Sequence, residues 1–595
     1  MTIFDAISLA GGLGLFLYGM TIMGSGLEKL AGSKLEVILR KVTSNIFTSV
    51  LFGALLTAAI QSSSATTVIV VGLVNSGIMK LEQAIGIIMG ANVGTTITAQ
   101  ILRLSDISSD NIWLQLLKPK SFAPVFAIVG AVLFVFIKNT KSRNVGQILL
   151  GFGILFTGMF AMEAAVEPLR ESELFFTLFS TLENPILGVL AGTFVTAIIQ
   201  SSAASIGILQ ALSSTGLITW GTAIPIIMGQ NIGTCVTPML ASIGASKGAK
   251  RSAFAHLYFN IIGTTVFLIA IYGFKAIVGI PGWSASVTRG DIATFHTLFN
   301  LIVTLLFMPF TKVLASLAEW TIRNTKAEDS FVEPEVPILD DRLLMSPAVA
   351  IQQARTAVET MALHAKSNYS LAIPFLFNYS DEQLNRIESV ESIIDRLEVN
   401  ISNYLVRIAD KELTESESHN VSEMLSFVTE FERIGDYAIN IVERSGEIKD
   451  KNITFSDTAR TELMLLDKAI CEILELSINA FVNNNLKLAE QVEPLEETVD
   501  LICDTLRSKH IGRLKEGKCA IESGVVFLEI LTNLERISDH CSNVAARLIG
   551  NDSGDEDFDT HELRRNLHNG YVNNFNDMLS MYREKYYSGI QLSDE

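Results

Sequence analysis

Cysteine is scarce and unpatterned in this 595-residue chain. Cys235, Cys471, Cys503, Cys519 and Cys541 are odd in number, scattered, and form no CxxC. That spacing suggests neither a zinc site nor a disulfide framework. Four of the five lie beyond residue 325, which fits a reducing compartment. Charge is also sparse, at 18% of residues, and it is unevenly placed. Up to residue 325 there are 19 Lys+Arg against 13 Asp+Glu; the remainder carries 26 against 50. The net charge of −18 therefore hides an apolar, slightly basic front and an acidic, soluble back. An acidic balance speaks against nucleic acid as a partner. No nucleophile–base pair or Walker loop stands out, so the chain does not read as an enzyme. Gly11, Gly12 and Gly14 lie inside an apolar run rather than at a strand–turn–helix. The N-terminus has no basic n-region and reads as a retained first helix rather than a cleaved signal.

What the front half does have is a duplication. Residues 57–66 read TAAIQSSSAT and residues 196–205 read TAIIQSSAAS. MGANVGTTIT at 89–98 is matched by MGQNIGTCVT at 228–237. Gln61 to Gln200 is 139 residues, as is Asn92 to Asn231, and the match extends without a gap back to Gly12/Gly151. Hydroxyl and amide side chains set in apolar sequence are how a polar site at mid-membrane is written.

Runs long enough to cross a bilayer, about 20 apolar residues, fall near 7–27, 82–102, 121–138, 147–167, 222–244, 253–278 and 292–316. The pairs 47–60/65–79 and 185–199/203–218 are each too short and are joined by Gln61–Ser64 and Gln200–Ser202. They read as re-entrant helical hairpins with the polar run at the tip, tolerated where it lines a cavity. The spans 82–102 and 222–244, interrupted by Asn92–Thr95 and Asn231–Thr234, read as broken helices. Three crossings separate the repeats, about 7–140 and 147–278, so they are inverted; 292–316 is an extra span. An external N-terminus puts the basic loops 29–41, 138–143 and 247–251 inside, and the acidic loop 171–183 outside. The back half is then cytoplasmic. Residues 326–346 read as a linker. Helical spacing follows near 347–374, 380–412, 415–446, 454–483, 486–515 and 520–549, as two sets of three. An acidic loop from 551 and a helix at about 560–585 close the chain. The fold class is all-α: a polytopic membrane domain (1–325) and a soluble domain of two three-helix bundles (347–550).

Each hairpin tip ends one half-helix and begins another. The beginning half presents free N–H groups that suit an anion; the ending half presents carbonyls that suit Na⁺. No Lys, Arg, Asp or Glu lies at the centre of a span, with Glu163 and Glu167 towards the outer end of theirs. Neutral oxygen ligands favour sodium over a proton relay. The other reading is structural: serines capping half-helices, and Gly90-x-x-x-Gly94 and Gly229-x-x-x-Gly233 as packing motifs.

The paired QSS runs, each followed by NxGT, resemble the type II sodium–phosphate cotransporter family over about 1–318. The resemblance implies Na⁺-coupled transport of inorganic phosphate across the cytoplasmic (inner) membrane by alternating access. It implies phosphate at Ser62, Ser63, Ser64, Asn92, Thr95, Ser201 and Asn231. It implies sodium at Gln61, Thr98, Gln200, Ser202, Thr234 and Thr237. The second copy departs from the family at Ala203, where the first has Ser64. Transport of another oxyanion, phosphate export, or a phosphate receptor are the alternatives.

The acidic half is duplicated too. Glu432-Arg433-Ile434-Gly435-Asp436 recurs as Glu535-Arg536-Ile537-Ser538-Asp539, and Asp436 to Asp539 is 103 residues. Glu391/Asp395 and Glu496/Asp500 stand on the preceding helices. An i,i+4 spacing puts both carboxylates of each pair on one face. Converging pairs form an oxygen-rich divalent-metal site; otherwise they are a solvated face balanced by Arg433 and Arg536. His540, beside Asp539, reads as structural. ERIGDYAINI and ERISDHCSNV resemble PhoU-type domains over about 340–550. That implies a multinuclear divalent or iron-type cluster, phosphate-linked regulation, and a homo-oligomer or phosphate-signalling partner.

Overall fold

The computed structural model describes residues 2–41, 45–106, 119–323, 336–553 and 575–592. The side chains of the basic loop from residue 31, the linker at 326–335 and the acidic tail at 554–574 lie outside the described residues. Among those described, every element is helical apart from one isolated bridge between Thr219 and Ser286. Two units form: residues 1–332 with 340–350, and residues 333–339 with 351–595.

In the first unit, α1 is Ile3–Lys41, α2 Ile46–Ile60, α3 Ser63–Asn75, α4 Leu81–Arg103 and α5 Pro119–Phe136. Then come α6 (Thr140–Val166), α7 (Glu173–Thr181), α8 (Pro185–Ile199), α9 (Ser202–Ser213), α10 (Trp220–Thr234) and α11 (Val236–Ala241). The unit closes with α12 (Lys247–Ile277), α13 (Arg289–Phe307) and α14 (Thr311–Thr321). Among the described residues, seven helices or helix runs are long and apolar enough to cross a membrane, or eight if the bent pair Glu173–Thr181 and Pro185–Ile199 counts as one span, and the seven are the spans read from sequence. The short pairs α2/α3 and α8/α9 break at Gln61 and Gln200, as expected.

Three expectations need correction. Asn92–Thr95 does not break α4, which runs uninterrupted. Gly90 and Gly94 are there because α2 packs on them: a Cβ on either would strike the backbone of Val50 or Ala54. The second copy does break, at Cys235, and Pro238 explains it. Proline has no N–H to give the Thr234 carbonyl; its counterpart in α4 is Ala99. Residues 171–183 are not a loop. Glu173–Thr181 is helical and bends by 106° into α8. Finally, the end of the linker is packed: Leu343 lies against Gly72, and Asn75 donates to Asp340 at 2.7 Å.

The repeat organises the packing. Gly12 lies against Gly158, and Gly19 against Gly151, so α1 and α6 run antiparallel and their contacts exchange under the offset. The core between them is built from equivalents: Phe16/Leu155, Met20/Met159 and Met23/Met162. Reciprocal contacts of this kind define a two-fold relation.

The second unit holds α15 (Pro347–Phe377) from Ile351 onward, α16 (Asp381–Ala409), α17 (Glu415–Asp450), α18 (Asp457–Asn483), α19 (Leu486–Ala489), α20 (Val492–Lys515) and α21 (Ile521–Ser553). The six long helices match the two expected sets of three. Tyr437 stacks on its equivalent His540, with centroids 5.5 Å apart. The closing helices α22 (Phe575–Tyr582) and α23 (Ser588–Leu592) flank a π-helical turn.

Candidate functional site

Both hairpin tips are made the same way. Gln61 and Gln200 adopt left-handed backbone, φ 59° and 56°, which ends the first half-helix. Ser62 and Ser201 then cap the second half-helix, accepting from Ala65 N and Ala204 N at 3.1 and 3.2 Å. The capping reading of these two serines is therefore correct as far as their acceptor goes; each hydroxyl still has a proton to donate.

The tips meet. Ser63 Oγ and Ser202 Oγ are 3.4 Å apart, and 139 residues separate them, so the two-fold relation passes between them. Ser64 Oγ donates to Gln200 O at 3.3 Å. Ala203 has no hydroxyl to return the bond. The N-terminal turns of α3 and α9 thus converge on buried serines, and each contributes a partial positive charge.

Of the other expected oxygen ligands, Gln61, Thr95, Thr98 and Thr234 are buried, Thr237 is half-buried and Gln200 is exposed. Thr98 donates to Gln61 Oε1 at 2.9 Å, and Gln61 Nε2 donates to Ala58 O at 2.6 Å. Their counterparts Thr237 and Gln200 make no such pair: Gln200 is exposed, and the Thr237 hydroxyl has no partner. Thr95 and Thr234 spend their protons on the carbonyls of Ala91 and Gln230, at 3.1 and 3.0 Å, leaving oxygen lone pairs.

Asn92 and Asn231 lead to residues that the sequence reading missed. Asn92 Nδ2 donates to Asn260 Oδ1 on α12, and Asn231 Nδ2 to Asn300 Oδ1 on α13, both at 2.7 Å. Thr264 and Thr304 donate to the carbonyls of Met228 and Met89, at 3.5 and 3.4 Å. The signal was present: His256-x3-Asn260-x3-Thr264 recurs as His296-x3-Asn300-x3-Thr304 at an offset of 40, not 139. Each helix bridges an asparagine of one repeat to a methionine carbonyl of the other. By these contacts α12 and α13 play matching roles. Glu163 is also not alone; it forms an ion pair with Arg289 at the start of α13.

In the second unit, Glu496, Asp500 and Asp539 bring carboxylate oxygens within 4.8 Å of one another. One Asp500 oxygen is buried with no hydrogen-bond partner. Burial, then Glu535 and Asp539, push Asp500 up to about 7. Burial, then Asp395 and Asp436, push Glu391 up to about 7, and burial with Asp436 raises Glu432. Gly435 leaves room for Glu391, which accepts from Asn368 at 3.0 Å. Crowded carboxylates that resist ionising are what a cation would relieve, so the donor set fits a hard divalent ion. Glu535 is engaged otherwise, with Arg507, and Arg433 and Arg536 reach Asp436 and Asp539 at 3.5 and 3.2 Å.

Comparison with known proteins follows the same division. Residues 15–164 and 157–280 each match the family described as Na+/Pi-cotransporter; 358–445 and 463–548 each match the PhoU domain. A protein of Escherichia coli K12 named for inorganic phosphate export, YjbB, is 25% identical over 564 residues, covering 93% of this chain and 99% of that one. YqeW of Bacillus subtilis, an uncharacterized protein, is 32% identical over 307 residues, 51% of this chain and 93% of its own. Human sodium-dependent phosphate transport protein 2B is 28% identical over 201 residues, 31% of this chain and 28% of that one.

Proposed function

We propose, because this chain belongs to the Na+/Pi-cotransporter family and carries a PhoU domain, that it moves inorganic phosphate across the cytoplasmic membrane coupled to sodium. The observation that carries the reading is the contact of the two tips at Ser63 and Ser202. Two helix N-termini that meet at buried serines favour a compact anion. Phosphate is held by the first-turn N–H groups with the hydroxyl protons of Ser62, Ser63 and Ser201; Ser64 and Thr95, whose protons go to backbone carbonyls, offer only oxygen lone pairs. Sodium takes oxygens of Gln61, Thr98, Gln200, Ser202, Thr234 and Thr237. The hairpins are re-entrant, from opposite sides of the membrane, with the N-terminus outside and the second unit cytoplasmic. Inverted repeats that rock about a shared site give alternating access.

The second unit regulates transport. Glu496, Asp500 and Asp539 would hold one divalent or iron-type metal ion; Glu391, Asp395, Glu432 and Asp436 would hold another. A bound metal there supplies a charge that closes the bundles, not a reaction step.

Flux into proteoliposomes under Na⁺, K⁺ or proton gradients tests the reading. Phosphate accumulation driven by Na⁺ alone is expected. Accumulation without Na⁺ removes the coupling, and binding without flux makes the protein a receptor. Net export has one observation in its favour, the name of the relative aligned over 93% of this chain. Flux measured with the Na⁺ gradient in each direction separates the two.

A further inference from the structure

We propose that Asn260 and Asn300 are positioning residues that turn the carbonyl oxygens of Asn92 and Asn231, rather than their amide protons, towards a ligand, and so make both asparagines sodium ligands. The inference rests on the sodium-coupled reading above and departs from the sequence resemblance, which put phosphate on Asn92 and Asn231.

The argument is one of hydrogen-bond polarity. Asn260 Nδ2 lies 3.1 Å from the backbone carbonyl of His256, and Asn300 Nδ2 lies 2.8 Å from that of His296. A carbonyl only accepts, so the atom facing it must be the amide nitrogen. This fixes which end of each carboxamide is which, a choice that side-chain shape alone leaves open. The other end of Asn260 and of Asn300 is therefore an oxygen, which also only accepts. The atom 2.7 Å from it, on Asn92 or Asn231, must in turn be a nitrogen. The far end of Asn92 and Asn231 is then Oδ1. Polarity passes in two steps from a helix backbone to the far end of each asparagine.

The consequence is chemical. A carboxamide that presents oxygen offers a lone pair to Na⁺ and repels a phosphate oxygen. Both asparagines are buried, at 6% exposure, so neither is reoriented freely by water. The two copies differ in one respect. His256 Nε2 lies 3.3 Å from Asn92 Oδ1 and takes up part of its acceptor capacity. His296 is 1% exposed with both ring nitrogens unpartnered, and no described side chain donates to Asn231 Oδ1. Asn231 offers the more open oxygen.

The test uses the full-length protein. Na⁺ alone, without phosphate, should raise its unfolding temperature in detergent relative to choline, because the oxygens are oriented before phosphate arrives. No Na⁺-specific stabilisation of the wild type overturns the inference. In proteoliposomes, Asn260→Leu and Asn300→Leu should each raise the Na⁺ concentration for half-maximal uptake about tenfold, the factor given by ~1.4 kcal/mol. The phosphate KM at saturating Na⁺ should stay within about twofold. If the leucine variants do not reach the membrane, Asn260→Ser and Asn300→Ser, smaller and polar, report the same two constants. A raised phosphate KM with unchanged Na⁺ dependence overturns the inference, as do equal losses in both constants or no change in either. A wild type that takes up phosphate without Na⁺ fails the underlying reading instead, and is seen before any variant is made.

Discussion

Gln61 and Gln200 share a backbone and not a side-chain environment. Both hold φ in the left-handed region, where glycine is the cheap residue. Glutamine costs about 1–2 kcal/mol there, so its side chain must be wanted. Gln61→Gly and Gln200→Gly should therefore keep the fold while abolishing coupled uptake, read as protein level in the membrane against phosphate flux. Gln61→Gly should be the less stable, since it loses bonds to Thr98 and Ala58 worth about 1 kcal/mol each. Gln200 is exposed and has no equivalent bonds to lose. Normal uptake in both variants would leave the tips a structural role only. The Ser64/Ala203 difference is testable on the same footing. Ser64→Ala removes the one side-chain to backbone bond across the tips and should weaken their contact by about 1 kcal/mol. Ala203→Ser, which restores the missing hydroxyl, should be tolerated; a total loss of uptake there would mean the asymmetry itself is required.

At the level of elements, glycine spacing decides how closely the hairpins sit on their partner helices. Gly53 meets the Ile87 carbonyl and Gly90 that of Val50; Gly192 and Gly229 repeat this against Ile226 and Val189. Backbone on backbone leaves nothing flexible to yield. Gly90→Ala and Gly229→Ala should destabilise by at least the 1–3 kcal/mol typical of overpacking, seen as a lowered unfolding temperature in detergent. Gly11→Ala and Gly14→Ala, with nothing within 4 Å, should be neutral. The same glycines show how far the sequence could be read. Spans and the breaks at Gln61 and Gln200 were legible because apolar run length and αL-compatible polar breaks are local signals. The effect of Asn92–Thr95 was not: whether glycine breaks a helix or seats one depends on a neighbour that only the fold supplies. Pro238 was the better guide, since a missing N–H acts wherever the chain goes. The Asn260 and Asn300 pair stayed hidden because its repeat has a different offset, set by the α12–α13 connection. The acidic helices were placed well, yet the sequence could not assign Glu535 to Arg507 rather than to the carboxylate group.

Over the whole molecule, each unit is a duplication that brings equivalent residues face to face, Ser63 with Ser202 in one and Tyr437 with His540 in the other. The first gathers neutral dipoles; the second gathers carboxylates, and these must answer to pH. Glu391 and Asp500 are pushed up to about 7, by burial first and neighbouring carboxylates second. In the unfolded chain such groups titrate near about 4. Between about pH 4 and 7 the folded chain then holds protons that the unfolded chain has released. Stability from these sites is full at the acid end and falls as pH rises through that window. A divalent cation does the protons' work at higher pH, so it should reverse the trend. Hydrogen exchange of the full-length protein in detergent, followed in peptides from α16–α17 and α20–α21, checks this. With chelator, protection corrected for intrinsic rates should be greater at pH 5 than at pH 8; with Mg²⁺ or Mn²⁺ the pH 8 protection should recover. Glu391→Gln and Asp500→Asn should each flatten the pH dependence of their own bundle and cost it the metal response. If metal content and protection are unchanged in Asp436→Ala and Asp539→Ala, the carboxylates are a solvated face and the regulatory charge lies elsewhere.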